Sequence, residues 1–491
     1  REHHTGEVFL NNKSLYEKES LDKVLRPVPH ENGKDKEGSA YSWYCENDGV
    51  NTIIWANFHK YDPNKELVEI STRNTCFYPS KPGIDYLTIQ GFYISQAATQ
   101  WGAPTAEQIG MIATHWNKGW IIENNVISNS KCSGITLGKE RQTGHNVWLN
   151  DTSIDGSLHY IEVTFNTIRN GWNKENIGSH IVRNNEISHC EQTGICGSMG
   201  AAFSLIENNH IHDIWVKRQF TGAEIGGIKF HAAVDTRIVH NRIHNAGRAL
   251  WLDWMTQGTR VSGNLFYDND MEDLFLEVNH GPFLVDNNIF ASRRSILEQS
   301  QGGAYVHNLI AGDIYRYVEH GRYTPYFLPH STEVAGLSII PGGDDRYINN
   351  LFATVLPVTE GENKRKYGLA DYNKTVYPMI VDGNVYYNGA LPFEGEKNKV
   401  VLPDFNPNVK IEETADGVYL SLSVKGLSDL QTSRVNTERL GKAKLPGQAY
   451  EQPDGSPIEI AADYLGNARG DQPKPGPLES VKDGEIRIKV W

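Results

Sequence analysis

Nowhere do the 491 residues contain the roughly 20 consecutive apolar side chains that a membrane-crossing helix needs, so the chain reads as soluble, with no membrane partner. Positive charge is also scarce. The formal net charge is -13, and no basic cluster offsets it, which excludes a phosphate backbone and therefore nucleic acid as a partner. Cysteine is limited to Cys45, Cys76, Cys132, Cys190 and Cys196. An odd number without framework spacing argues against a disulfide scaffold, and Cys190 and Cys196 stand too far apart for a short zinc knuckle. The five are read as buried thiols in a reducing, cytoplasmic compartment. The chain opens on Arg1-Glu2-His3-His4 and not on Met, so the true start is read as absent, whether or not a leader or further coils precede residue 1 is left open, and the lack of a targeting segment carries little weight. Also missing from the central region are the hairpin turns every 8 to 12 residues that an antiparallel sandwich requires.

What the centre contains instead is a repeat. An Asn followed closely by a branched or aromatic residue recurs at Asn125, Asn166, Asn185, Asn209, Asn241, Asn264, Asn288, Asn308, Asn350 and Asn384. Several spacings are 19 to 24 residues, and gaps of 32 to 42 are explained by loops inserted between strands. That period is one lap of a parallel β-solenoid, in which corner Asn side chains exchange hydrogen bonds from lap to lap. The fold expected is all-β: a right-handed parallel β-helix with a smaller β-sandwich-like lobe. Residues 1–72 lack the repeat and form the small antiparallel lobe, with strands over Glu7 to Leu10, Thr52 to Ala56 and Leu67 to Ser71. Residues 73–491 form the β-helix, with C-terminal insertions and a cap. The repeat begins at Tyr86 and loosens after Asn308; 353–375 and 386–412 read as loops, and strands are expected at Gly417 to Leu422 and Glu485 to Trp491.

The stretch from Ala223 to Asn308 holds the candidate chemistry. Three alternating strands, Gly-Ile-Lys-Phe-His (227–231), Ala-Leu-Trp-Leu-Asp (249–253) and Asp-Leu-Phe-Leu-Glu (273–277), end on His231, Asp253 and Glu277. Alternation puts Ile228, Phe230, Leu250, Leu252, Leu274 and Leu276 inside. Lys229, His231, Trp251, Asp253, Phe275 and Glu277 then face out. Adjacent strands lie about 4.8 Å apart, so the two carboxylates in register should stand roughly 5 Å apart. Retaining glycosidases hold their carboxyl pair at about 5 to 5.5 Å, whereas inverting ones need roughly 6.5 to 9.5 Å. Two acids so close repel, which raises one pKa and leaves the other group ionised. Trp251, Trp254 and Phe275 flank them, from a chain with 11 Trp and 23 Tyr, rings that suit sugar faces.

Other candidates are weaker. Lys229 and His231 could bond sugar hydroxyls, and Trp101 and the His115-Trp116 pair could stack on a ring. His210-Ile211-His212 and His3-His4 have metal-compatible spacing, but no third ligand is visible in the sequence, so no metal and no cofactor are expected.

At this point longer words become informative. The stretches 251–261 (WLDWMTQGTRV) and 275–282 (FLEVNHGP) resemble the β-xylosidases of glycoside hydrolase family 120. So do 97–108 (AATQWGAPTAEQ), 115–128 and 190–202 (CEQTGICGSMGAA). The resemblance implies a right-handed β-helix interrupted by a β-sandwich and retaining, exo-acting hydrolysis of xylo-oligosaccharides or other small β-pentosides through a covalent xylosyl-enzyme, without a cofactor. It also implies that Asp253 is the nucleophile, Glu277 the acid/base and Glu224 a substrate-binding carboxylate. Only the resemblance divides the roles of the two acids. Trp251 and His280 complete the candidate substrate-binding set, and a homo-oligomer is compatible with the acidic surface. Two alternatives remain: a polysaccharide lyase on the same scaffold, with Lys229 as the base, and a non-catalytic carbohydrate-binding β-helix.

Overall fold

The computed structural model describes residues 3–103, 105–145, 147, 151–222, 224–354 and 367–491. Its body is a solenoid of three parallel sheets. A representative lap runs from Arg237–Val239 in sheet I to Arg242–His244 in sheet II and Leu250–Asp253 in sheet III. Sheet I has ten strands, from Thr88–Gln90 to Ile380–Asp382; sheet II has eleven, from Tyr93–Ser95 to Lys399–Leu402. Sheet III has eight, from Ile112–Ala113 to Asp313–Arg316. The laps therefore persist well beyond Asn308, after sheet III has ended. This is why the repeat loosens there; the stretch 386–412, which reads as loop in the sequence, contains strand Lys399–Leu402 and the start of strand Lys410–Thr414. Part of the other loop-like stretch, 355–366, lies outside the described residues.

The corner between sheets I and II explains the Asn repeat. The side-chain amide of Asn125 donates to Asn185 Oδ1, that of Asn185 to Asn209, and so on through Asn241, Asn264, Asn288, Asn308, Asn350 and Asn384, at 2.9 to 3.1 Å. Each Oδ1 also accepts the backbone N–H of the Asn one lap earlier. The last amide finds Glu396 Oε1 at 2.8 Å. These buried polar groups are thus satisfied lap by lap, which is the condition for a corner without water. The residue before each ladder Asn has positive φ: Asn124, Asn184, Asn208, His240, Gly263, Asn287, His307, Asn349 and Gly383. Asn, Gly and His tolerate that conformation best, and this accounts for the paired words NN, HN and GN.

Asn166 is the exception. It lies in helix α1 (Gly156–Arg169), and the ladder steps directly from Asn125 to Asn185 across 60 residues. Asp155 caps the helix by accepting the Leu158 N–H at 2.8 Å. Tyr160, Ile161, Val163, Thr164 and Thr167 give it one buried face. The short word FNTIR mimics the repeat, but the spacing of its neighbours is helical.

Inside the solenoid, Ile228, Phe230, Leu250, Leu252, Leu274 and Leu276 are fully buried in one continuous core, as alternation requires. The N-terminal lobe has two three-stranded sheets. One joins Val8–Leu10 to Lys13–Ser14 and Val68–Ile70 and is antiparallel. The other joins Tyr16–Glu17, Ser42–Asn47 and Thr52–Asn57, and its first pair is parallel. Lys131 and Lys217 of the solenoid reach Glu17 and Glu7 of the lobe at 3.1 and 2.9 Å. At the other end, an antiparallel sheet of Lys410–Thr414, Gly417–Val424 and Gly484–Lys489 packs over the strands of sheet II. All five cysteines are free, and Cys76 is exposed where the sequence reading expects a buried thiol.

Candidate active site

Four strands of sheet III carry the site: β1 (Gly226–His231), β2 (Leu250–Asp253), β3 (Glu272–Glu277) and β4 (Arg294–Gln299). Their register places His231 beside Asp253, Asp253 beside Glu277, and Glu277 beside Gln299. In-register parallel stacking projects all four side chains from the same side of the sheet on successive laps. The residue after each of the first three turns left-handed: Ala232 (φ 56°), Trp254 (φ 26°) and Val278 (φ 52°). Non-glycine residues in this region are strained, and for β-branched Val278 most of all. At Trp254 the turn aims the backbone N–H at Asp253 Oδ1, 2.9 Å away.

Sheet III faces outward here, yet it does not face open water. Helix α1 lies across it, and so does a hairpin of β5 (Glu319–Phe327) and β6 (Val334–Ile340), which fills the long gap between Asn308 and Asn350. Both pack on Trp254, Met255 and Val278 in a second apolar cluster. The helix contributes the Tyr160 hydroxyl, 3.0 Å from His231 Nδ1. The hairpin contributes Arg322, whose guanidinium donates to Glu277 Oε1 at 2.8 Å and pairs with Glu319 at 3.2 Å.

Beneath this cover the charges form a connected set. The Lys229 ammonium donates to Glu224 Oε1 at 2.6 Å and to Asp253 Oδ2 at 3.0 Å, and it also contacts His231 Nε2. Gln108 donates to the other Glu224 oxygen at 3.0 Å. Trp251 stacks on Phe275 with ring centroids 5.0 Å apart, and its Nε1–H donates to Glu277 Oε2 at 3.2 Å. Side-chain exposure separates these groups. Lys229 and Glu224 are 0% and 1% exposed, whereas Asp253 and Glu277 retain 8% and 14%. Of the two pairs, only the second keeps a surface that a ligand can touch.

Protonation follows from the same contacts. Burial, together with the charge of Asp253, pushes Glu277 up to about 7 even though Arg322 opposes the shift. Burial would also raise Glu224, but the Lys229 ammonium and His231 outweigh it and hold that carboxyl at about 2. For Lys229, burial disfavours the charge and the two carboxylates more than restore it, so its pKa lies above the ordinary lysine value. The site therefore holds a fixed buried cation beside Asp253 and, one lap on, a carboxyl poised to exchange a proton near neutrality.

Several expected sugar contacts have other work. Both ring nitrogens of His231 are engaged, by Tyr160 and Lys229, and Lys229 itself is enclosed; together they brace Asp253. His280 is buried with Nδ1 against Gln301 at 3.0 Å and Nε2 against the Thr324 hydroxyl at 2.8 Å, so it pins the hairpin to the solenoid. Trp116 is buried in the apolar cluster under α1, its Nε1–H directed at the Asn170 carbonyl. Trp101 lines a cavity between the lobe and the solenoid with His3, Lys131 and Phe220. Arg322, Tyr160 and Gln108 were not foreseen. Residues 319–327 (EHGRYTPYF) show no alternation and include Gly321 and Pro325, so the sequence carries no clear strand signal for the Arg322 hairpin.

Comparison with known proteins adds to this geometry. Residues 1–70 match the model of the glycoside hydrolase 120 insertion domain, and residues 112–310 match that of the right-handed β-helix region. A solved structure, the complex of XylC with xylose, is 43% identical over 99% of this chain and 81% of its own, with a TM-score of 0.93. The chain belongs to glycoside hydrolase family 120. As a member of that family it is a glycoside hydrolase of the xylosidase type on a right-handed parallel β-helix. A periplasmic alginate epimerase, AlgG, is 14% identical over 65% of this chain and 69% of its own, with a TM-score of 0.34. A family PL6 alginate lyase, AlyGC, is 10% identical over 70% and 53%, with a TM-score of 0.29. Neither resemblance bears on function. Among curated protein sequences none matches the chain.

Proposed function

We propose that this family 120 enzyme is an exo-acting, retaining β-xylosidase that cleaves xylo-oligosaccharides through a covalent xylosyl-enzyme. The observation that carries the reading is the register pairing of Asp253 with Glu277 on adjacent strands, in surroundings that treat the two acids differently. One strand spacing is about 4.8 Å, which suits direct attack and leaves no room for an interposed water. Asp253 is the nucleophile: Lys229 and the Trp254 amide orient its carboxylate toward the anomeric carbon. As the Asp253 oxygen bonds to that carbon, the bond to the leaving oxygen breaks and Glu277 delivers its proton there. In the second half Glu277, now a carboxylate, takes a proton from water; the hydroxide adds to the anomeric carbon and Asp253 departs. The xylose specificity is supported by XylC, whose structure is a complex with xylose.

The lyase alternative would need Lys229 as a free base. It is an enclosed ammonium bonded to two carboxylates, a poor proton acceptor near neutrality. Proton NMR of the first sugar released from an aryl β-xyloside tests the stereochemistry: β-xylose is expected first, and initial α-xylose would overturn the reading. Asp253→Ala should lose activity by on the order of 10⁵-fold. Glu277→Ala should spare substrates with activated leaving groups far more than xylobiose, and equal losses on both would reassign the acid.

A further inference from the structure

On sheet II, a different face from the two acids, three histidines converge. His210 and His212 share one strand and point the same way, and His244 is the register partner of His212 on the next lap. One ring nitrogen from each lies within 4.8 Å of the other two, and His210 Nε2 and His244 Nε2 are 2.9 Å apart. The sequence supplied only the pair 210 and 212; the solenoid brings the third ligand from 32 residues away.

The surroundings are those of a metal-ligand set. Asp213 Oδ2 lies 2.7 Å from His212 Nδ1. A carboxylate on Nδ1 favours the tautomer in which Nε2 serves as the metal ligand, the arrangement that carboxylates give to metal-binding histidines. Glu186, one lap earlier, places Oε1 3.4 Å from His212 Nε2. The nearby cation, Arg242, is already neutralised by Glu413 at 3.0 Å.

We propose that His210, His212 and His244, with the Glu186 carboxylate as a fourth ligand, bind a divalent transition metal of the zinc class. Three imidazoles and one carboxylate form a donor set that suits zinc, cobalt or nickel far better than calcium or magnesium. The rings are now nearly parallel, with 12° between His212 and His244. Tetrahedral zinc needs ligand atoms about 3.3 Å apart, so the rings tilt toward one another by a small amount when the ion binds. Because Glu186, the 210/212 pair and His244 come from three successive laps, the ion staples the solenoid together.

The test uses the full chain, stripped with a chelator and dialysed. Calorimetric titration with Zn²⁺ should show one equivalent bound with a micromolar or tighter Kd, and thermal unfolding should move upward in its presence. His212→Gln and His244→Gln should each weaken binding at least tenfold and remove the thermal shift, with xyloside hydrolysis unchanged. The cobalt-loaded parent, which depends on no variant folding, should show the intense visible absorption of a tetrahedral site. Sub-stoichiometric binding, affinity that survives both substitutions, or the weak spectrum of octahedral cobalt would each overturn the proposal.

Discussion

Replacing Arg322 by Met should move the alkaline limb of the kcat/KM profile upward. In the proposed mechanism that limb reports the proton on Glu277 in the free enzyme, which sits at about 7 in the intact site. Arg322 stabilises the ionised carboxylate, so its removal favours the protonated form and raises the pKa. The guanidinium nitrogen is 2.8 Å from Oε1, which places the charge centres roughly 4 Å apart. At an effective dielectric of about 20 the Coulomb energy is about 4 kcal/mol, equivalent to about 3 pKa units. Arg322 is 27% exposed, so solvent and salt reduce that figure. A rise of about 1 to 2 units remains, toward pH 8 to 9. Initial rates on an aryl xyloside with a poor leaving group, from pH 5 to pH 10, measure it directly, and Arg322→Lys should keep the limb near its original place. A limb that stays fixed or falls in the Met variant would refute the idea that Arg322 acts on Glu277 through charge.

Three further outcomes follow from contacts already described. Lys229→Met leaves Glu224 buried without its cation and should lower unfolding stability by about 3 to 5 kcal/mol, read from the urea midpoint. Asn264→Ala removes the acceptor for the Asn241 amide and backbone N–H and the donor to Asn288; a loss of about 3 kcal/mol is expected from equilibrium unfolding. His280→Phe frees the hairpin at Thr324 and should reduce kcat/KM by about 10- to 100-fold through misplacement of Arg322, while the circular dichroism of the strands is retained.

The parts of this molecule that repeat were legible in the sequence. The Asn ladder and the inward Ile, Leu and Phe rows recur with a period, and their register follows from the period alone; this is how Asp253 and Glu277 come out as neighbours. A short word is weaker than a period, and Asn166 shows it: the word matches and the helix wins. Alternation also tells which way a side chain points but not what it meets. Lys229 and His231 do point outward, but α1 and the hairpin cover them, so groups expected at a sugar brace Asp253. Arg322 reaches Glu277 across 45 residues, and an insertion that docks once on the outer face leaves no periodic trace.

One property of the register has a wider reach. Backbone positions stacked on successive laps are separated by whole numbers of strand spacings, about 4.8 Å or about 9.6 Å, and side-chain length and rotamer then adjust the distance between the reacting atoms. The backbone separation of two such groups therefore comes in steps. The next place in the row after Glu277 is Gln299, and a proton-carrying group shifted there would jump to the upper end of the range used by inverting enzymes. On a β-helix the number of laps between two carboxyl groups sets the coarse distance between them, and a change of one lap is a change of about 4.8 Å.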